Sequence, residues 1–434
     1  MKKKIKIILI ILLIMLFCIC FIPIWAFFIE PNLLIIRKIE IKDPALKGIK
    51  VAYLSDLHIC QDGKDYALNM VRKVNKQNPD IILLGGDYIV VEIYKNKTMK
   101  PDIFILSIMA AVITACASDS ASSEWVTIKG NKFIDPQGNE LIFRGLCFSD
   151  PVKLVSEGQW TERYFAEAAD WGANVVRFAV HPTNLNRMGW EETFNAMDQG
   201  IEWAKKHGMY VIMDWHSIGN LKDAKYTNPM YDTDLEETLK FWATVAQRYN
   251  DEPAVALYEI FNEPTVTGED TGECTWEEWK GIQEQIIDTI RVYNPNAICL
   301  CAGFNWAYDL TPVASAPIDR PNIAYVSHPY PMKRSEPWEE QWEADFGFVA
   351  DTYPVICTEI GFCLENELGA HIPVISTDVY GKHITEYFES KGISFTVWCF
   401  DTSWSPTLIE DWNFTPTTQG RFFKEYLQRK AAGK

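Results

Sequence analysis

A chain of 434 residues with 48% hydrophobic and 23% charged residues can bury a large core, which excludes disorder for most of its length. The net charge of −17 is unevenly spread: residues 1–98 hold 15 Lys/Arg against 9 Asp/Glu, so the rest carries −23. That acidic remainder lacks the Lys/Arg clusters that neutralise phosphates, which excludes nucleic acid as a partner.

The first element is an uncharged apolar run from Ile7 to Ile29 behind Lys2, Lys3, Lys4 and Lys6. At about 1.5 Å per residue it is long enough to cross a hydrocarbon core of about 30 Å. Residues 1–29 are therefore expected to be a transmembrane anchor, or a signal, with the basic flank inside and the rest extracytoplasmic. Residues 30–98 contain two strand-like runs, Val51-Ala52-Tyr53-Leu54 followed by Asp56-Leu57-His58, and Ile81-Ile82-Leu83-Leu84 followed by Gly85-Gly86-Asp87. This segment resembles the start of a membrane-anchored calcineurin-like metallophosphoesterase, whose D-x-H and G-D motifs hold metal ligands at strand ends. The resemblance implies Asp56, His58 and Asp87 as vestigial metal ligands; the G-N-H-E segment and the later His ligands are missing. A half-set cannot hold two metals in hydrolytic geometry, so an inert fragment is expected.

A second, shorter apolar run, Ile103 to Ala117, follows Met99 and Lys100 and ends in Ile113-Thr114-Ala115-Cys116. That ending resembles a bacterial lipobox, which implies lipidation of Cys116, and residues 117–123 read as a polar Ser-rich tether. Residues 99–124 are thus expected to be a lipoprotein-type signal, with Met99 beginning a gene product to which residues 1–98 are joined.

From Trp125 short β-branched runs alternate with longer amphipathic ones, the pattern of repeated βα units around a parallel sheet. Val126 to Phe143, turning at Pro136-Gln137-Gly138-Asn139, reads as a hairpin leading in. Eight strands follow: Leu141–Cys147, Val175–Val180, Val211–Trp215, Val255–Phe261, Ala297–Ala302, Ile323–Ser327, Val355–Ile360 and Phe395–Phe400. Helical periodicity over Leu235–Tyr249, Trp276–Tyr293 and Gln419–Lys430 fills the intervals and the end. The fold class predicted for residues 125–434 is α/β, a (β/α)8 TIM barrel. A doubly wound open sheet is the alternative, but no Gly-rich phosphate fingerprint follows the first strand. Seven of the eleven cysteines lie after Cys116 and mostly inside apolar runs, so buried free thiols are expected, with a Cys363–Cys399 bridge left open.

In such barrels chemistry gathers at the carboxyl ends of the strands. Arg177 is placed at the end of the second strand, His216 of the third, Asn262-Glu263 of the fourth, His328 and Tyr330 of the sixth, Glu359 of the seventh and Trp398 of the eighth. A lone His is commonly structural and a lone Glu often caps a helix, but their recurrence at equivalent positions is not explained that way. Two carboxylates across a barrel mouth suit glycoside hydrolysis, and a separation of about 5–5.5 Å gives double displacement with retention.

Phe261-Asn262-Glu263-Pro264 and Thr358-Glu359-Ile360-Gly361-Phe362 are similar to the two active-site segments of glycoside hydrolase family 5, over about Trp125 to Leu427. The resemblance implies Glu263 as acid/base and Glu359 as nucleophile. It gives Asn262 to the sugar 2-hydroxyl, Arg177 to support of the nucleophile, and His216 to a hydroxyl in the −1 subsite. His328 and Tyr330 would tune the carboxylates, and Trp398 would floor the −1 sugar. It also implies a β-linked polysaccharide or oligosaccharide substrate, no cofactor and no metal. Endo-β-1,4-glucanase is the leading activity, with β-mannanase or mixed-linkage glucanase as alternatives. A metallophosphoesterase or a non-catalytic sugar-binding barrel are the competing classes; the second normally lacks one of the two carboxylates. A monomer is expected, membrane-anchored and facing the extracytoplasmic side.

Overall fold

The computed structural model describes residues 51–55, 81–85, 124–266 and 271–433. The anchor, Asp56, His58, Asp87, the lipobox with Cys116 and the tether lie outside these. The chain divides into two units, 1–119 and 120–434. In the first, Val51–Ser55 and Ile81–Gly85 pair in parallel and in register, Val51 opposite Ile81. Among the described residues no helix is long and apolar enough to cross a membrane.

The second unit holds a closed barrel of eight parallel strands. In chain order they are Arg144–Phe148, Val175–Val180, Tyr210–Trp215, Val255–Glu259, Ile298–Ala302, Ile323–Val326, Val355–Ile360 and Ser394–Val397. The predicted (β/α)8 class is therefore the observed one, and the open-sheet alternative is not. Strands flanked on both faces by packed layers read as near-continuous apolar runs, and in every strand but the first and third all residues are buried. The first strand passes so close to the second that a methyl group at Gly145 would stand 1.8 Å from the Val175 carbonyl oxygen, which only glycine permits.

Helices form where the apolar period and the caps agree. Trp276–Tyr293 opens on a Thr275/Glu278 capping box and buries Trp279, Ile286, Ile287 and Ile290 against the barrel. Leu235–Arg248 is capped by Asp234, whose side chain accepts from Glu237 N. Asp378–Lys391 stops at Gly392 in the left-handed conformation. The repeat is broken after the fifth strand, where a short helical turn, Phe304–Ala307, and a 3-10 turn, Thr311–Ala314, stand in place of a long helix.

The expected lead-in hairpin is a three-stranded antiparallel meander, Thr127–Lys129, Lys132–Ile134 and Glu140–Leu141. Val126, Phe133 and Phe143 join Val175, Ile212 and Leu257 in one apolar cluster. Phe143 meets Phe133 and Tyr210 edge-on, with ring centroids 5.1 and 5.6 Å apart. Since Val175 and Tyr210 begin their strands, this cluster seals the amino-terminal end of the barrel and leaves the carboxyl end as the open mouth. The first strand therefore starts at Arg144 rather than Leu141: the residues before it belong to the plug.

Candidate active site

Glu359 is the fifth of six residues of the seventh strand, and Glu263 follows the fourth strand in a short bridge of Glu263–Pro264 to Ile218–Gly219. These segments aim both carboxylates into the mouth, where one oxygen of each, with a ring nitrogen of His328, lies within 4.8 Å of the others. Both are nearly enclosed, at 5% and 7% exposure.

Arg177 does not end the second strand, as its sequence position suggested; it is the third of six residues and completely buried inside the barrel. Its long side chain reaches up from there. Nη1 donates to Glu359 Oε1 at 2.9 Å, Nε and Nη2 donate to the two oxygens of Glu259 at 2.6 and 2.9 Å, and Nη2 lies 3.0 Å from Asp214 Oδ2. Arg177 Nη2 also donates to Asn262 Oδ1, which fixes the amide so that Asn262 Nδ2 is buried with no partner among the described residues. One guanidinium thus serves three carboxylates in a buried setting, where each bond is charge-assisted.

Tyr330 donates its hydroxyl to the other oxygen of Glu359 at 2.9 Å. Burial pushes the Glu359 carboxyl up from its ordinary range; His328 and Arg177 pull it down, Glu263 adds to the rise, and the Tyr330 bond lowers it again. His328 bonds Glu263 Oε1 through Nδ1 and Thr358 Oγ1 through Nε2, both at 2.9 Å. Because Thr358 gives its own hydroxyl proton to Glu259 Oε1 at 2.7 Å, Nε2 must be the donor in that pair. With both ring nitrogens engaged, the Glu263, His328 and Glu359 cluster is a hydrogen-bond network rather than a ligand set waiting for a cation.

Burial opposes charge on His328, but Glu359, Glu259 and Glu263 outweigh it and push the imidazole up to about 9. A raised value fixes the sign: this contribution to stability is complete below the ordinary 6.5 and is lost as pH rises through about 9. Denaturation midpoints measured across that range should fall in the wild type and stay flatter in His328→Gln; an unchanged slope in the variant would contradict the assignment.

His216 Nδ1 pairs with Asp214 Oδ2 at 2.6 Å, and burial, with His181 and Arg177 nearby, pushes the ring well below the usual histidine range, so it is neutral. Its plane lies 6° from that of Trp398, with centroids 5.2 Å apart. All eight residues named from the sequence therefore converge on one mouth. Glu259, Asp214, Thr358 and His181 were given no role there. A charged residue within an otherwise apolar strand, as in Val255-Ala256-Leu257-Tyr258-Glu259, is the signal that could have found the first two.

The family model described as cellulase (glycosyl hydrolase family 5) matches residues 134–403. The chain belongs to glycoside hydrolase family 5. A family 5 domain spanning the barrel is consistent with the solved relatives. The chain is 45% identical to a β-glucanase from Saccharophagus degradans crystallised in complex with cellotetraose, at a TM-score of 0.70 over 71% of this chain and 94% of that one. Endoglucanase A of Butyrivibrio fibrisolvens is 28% identical over 211 residues, 47% of this chain and 45% of that protein. Endoglucanase E-5 of Thermobifida fusca is 26% identical over 247 residues, 54% of this chain and 48% of that protein. The chain thus spans about half the length of these two relatives.

The seven described cysteines are all free, Cys363 and Cys399 included, so the bridge between them does not form. Six are buried, and Cys274 is half-buried. Cys147, on the first strand, donates its thiol to the carbonyl oxygen of Thr358 on the seventh strand at 3.0 Å.

Proposed function

We propose that the family 5 domain is a retaining endo-β-1,4-glucanase, with Glu359 as nucleophile and Glu263 as acid/base. The observation that carries this reading is the pair of carboxylates facing each other across the mouth, one oxygen of each within 4.8 Å of the other, which leaves less room for an intervening water than inversion needs. In the first step a Glu359 oxygen attacks the anomeric carbon and the glycosidic C–O bond breaks. Glu263 gives its proton to the departing oxygen, leaving a glycosyl ester on Glu359. In the second step Glu263 takes a proton from water as it attacks the same carbon, and the ester bond breaks.

The remaining residues serve these steps. Arg177 and Tyr330 hold Glu359 in its attacking position and favour its ionised form. The unpaired Asn262 amide meets the sugar 2-hydroxyl, where hydrogen bonds strengthen in the transition state. His216 offers its second ring nitrogen to a neighbouring hydroxyl, and Trp398 floors the −1 sugar. Glucan is favoured by the 45%-identical relative that was crystallised with cellotetraose. Carboxymethylcellulose, lichenan and glucomannan assayed side by side test the choice. Fastest turnover of carboxymethylcellulose supports it, and a clear preference for glucomannan or lichenan would replace it by the mannanase or mixed-linkage reading.

We also propose that the domain works as an extracytoplasmic lipoprotein tethered through Cys116, supported by the lipobox and the Ser-rich tether behind it. A single acyl chain gives marginal binding, so stable anchoring needs the several chains such proteins receive. Translation begun at Met99 in a bacterium should yield a protein that labels with palmitate and partitions into detergent, and Cys116→Ala should lose both properties. A wild type that stays unlabelled and soluble would overturn this. Residues 1–98 are expected to be dispensable for sugar hydrolysis, and a drop of about tenfold or more in kcat/KM on deleting them would show that they contribute.

A further inference from the structure

At the mouth the backbone ladder between the seventh and eighth strands is interrupted by a side chain from elsewhere in the chain. Ile360 stands opposite Val397, and Trp398 N donates to Ile360 O at 2.8 Å. In a parallel pair each strand bonds through every second residue, so the next bond in line would run from Phe362 N to Trp398 O. Phe362 N donates instead to Gln419 Oε1 at 2.9 Å, and Gln419 Nε2 donates to Trp398 O at 3.0 Å. The side-chain amide of a residue in the first turn of the last helix, Thr418–Ala431, thus takes the place of a ladder bond. Gln419 Nε2 also donates to Pro406 O at 2.7 Å, on the loop that follows the eighth strand.

The surroundings keep this amide where it is. Gln419 is buried, and Gly361 leaves it room: a methyl group at Gly361 would stand 2.9 Å from Trp398 O and 3.0 Å from Gln419 Oε1. The helix turn that carries Gln419 is pressed as closely, since a methyl group at Gly420 would lie 2.0 Å from the Leu408 carbonyl oxygen. Thr417 caps the turn, accepting from Gly420 N at 3.1 Å and donating to Thr407 O at 2.7 Å. Rotating the amide away would leave Phe362 N and Trp398 O without it in a buried setting, and an unmade bond there costs more than a made one contributes.

Glu359 immediately precedes Ile360, and Trp398 immediately follows Val397, so the two segments joined by the amide carry the nucleophile and the floor of the −1 sugar. A direct ladder bond would draw them together. The inserted amide holds them apart by its own width and still pairs the backbone groups on both sides. We infer that Gln419 is a positioning residue for cleavage, which sets the separation between Glu359 and Trp398 by standing in for the last ladder bond of their strands. This rests on the retaining glucanase reading proposed above. A sugar lying on Trp398 then finds its anomeric carbon already placed for attack by Glu359, where a misplacement of about 1 Å costs about a hundredfold in rate.

The test is the rate at which the full chain is labelled by an activated aryl 2-deoxy-2-fluoro-β-cellobioside. Glu359 displaces the aryloxide to form the glycosyl ester, the fluorine slows the ester's hydrolysis, and mass spectrometry counts the labelled molecules. Gln419→Met, of similar length and without an amide, should label to completion but about tenfold or more slowly at saturating reagent. The reagent concentration giving half the maximal rate should change by less than about threefold, because the sugar still binds and only its attack is misaligned. Gln419→Asn keeps an amide one methylene too short to join both segments; it should be slowed in the same sense, and it carries the test if the methionine variant does not fold. Labelling of the variants at the wild-type rate would overturn the positioning role. Labelling that kept the wild-type rate but stopped part-way would also overturn it, since that marks a loss of folded molecules rather than of alignment. If the wild type itself formed no ester, the retaining glucanase reading would fail, and the role of Gln419 with it.

Discussion

Glu359→Gly is expected to lower kcat on a soluble β-glucan by several orders of magnitude, and added azide to restore turnover with a product of inverted anomeric configuration. The loss follows from the removal of the group proposed to form the covalent ester. The rescue follows because the glycine leaves room at the anomeric carbon for a small anion while Glu263 still protonates the departing oxygen. Attack by azide is a single displacement, so the configuration inverts once instead of twice. Glu263→Gln is expected to fall as far on unactivated glucan but much less on an aryl glycoside whose leaving group needs no proton. These contrasting responses separate the roles of the two carboxylates. Near-normal turnover by Glu359→Gly without azide, or rescue with retained configuration, would show that Glu359 is not the nucleophile. Measuring product configuration by proton NMR decides between them.

The second large effect is expected at Arg177, and it is on stability as well as rate. Arg177 is fully enclosed and faces Asp214, Glu259 and Glu359 at 3.0 Å or less. Removing the cation leaves buried carboxylates without their partner, a situation that typically costs about 3–5 kcal/mol. Arg177→Met should therefore lower the unfolding free energy of the barrel by about that amount in urea, and kcat should fall by about a hundredfold or more as Glu359 loses its orienting donor. Replacement by Lys is expected to recover little, since a single ammonium cannot reach Glu259 through two bonds and also Glu359 and Asn262. A variant with Met at 177 as stable as the wild type would mean that the carboxylates take up protons at no cost. A stability curve shifted by pH would then reveal it.

Local sequence determined a good deal about this protein. Val175–Val180, Val355–Ile360 and Trp276–Tyr293 fold with the bounds that β-branched runs, periodicity and the Asn294-Pro295 stop indicate, because their signals are local. Asn262-Glu263 and Glu359 were legible for the same reason: a polar residue at or just beyond the carboxyl end of an apolar strand has few places to go except the barrel mouth. Tertiary structure alone decided the rest. Leu141 is apolar enough to continue a strand, but its place is in the plug that closes the barrel floor. The fifth βα unit lacks its long helix, which no repeat count foretells. The sequence could propose Arg177 as an anchor for Glu359, but not that its guanidinium is shared with Glu259 and Asp214. Nor could it bring Lys153 to Asp401 across 248 residues or set Trp404 parallel to Trp398. Periodicity reports which face of a strand or helix is buried; which side chains meet there is fixed by strand order and barrel closure, and those contacts are distant in sequence.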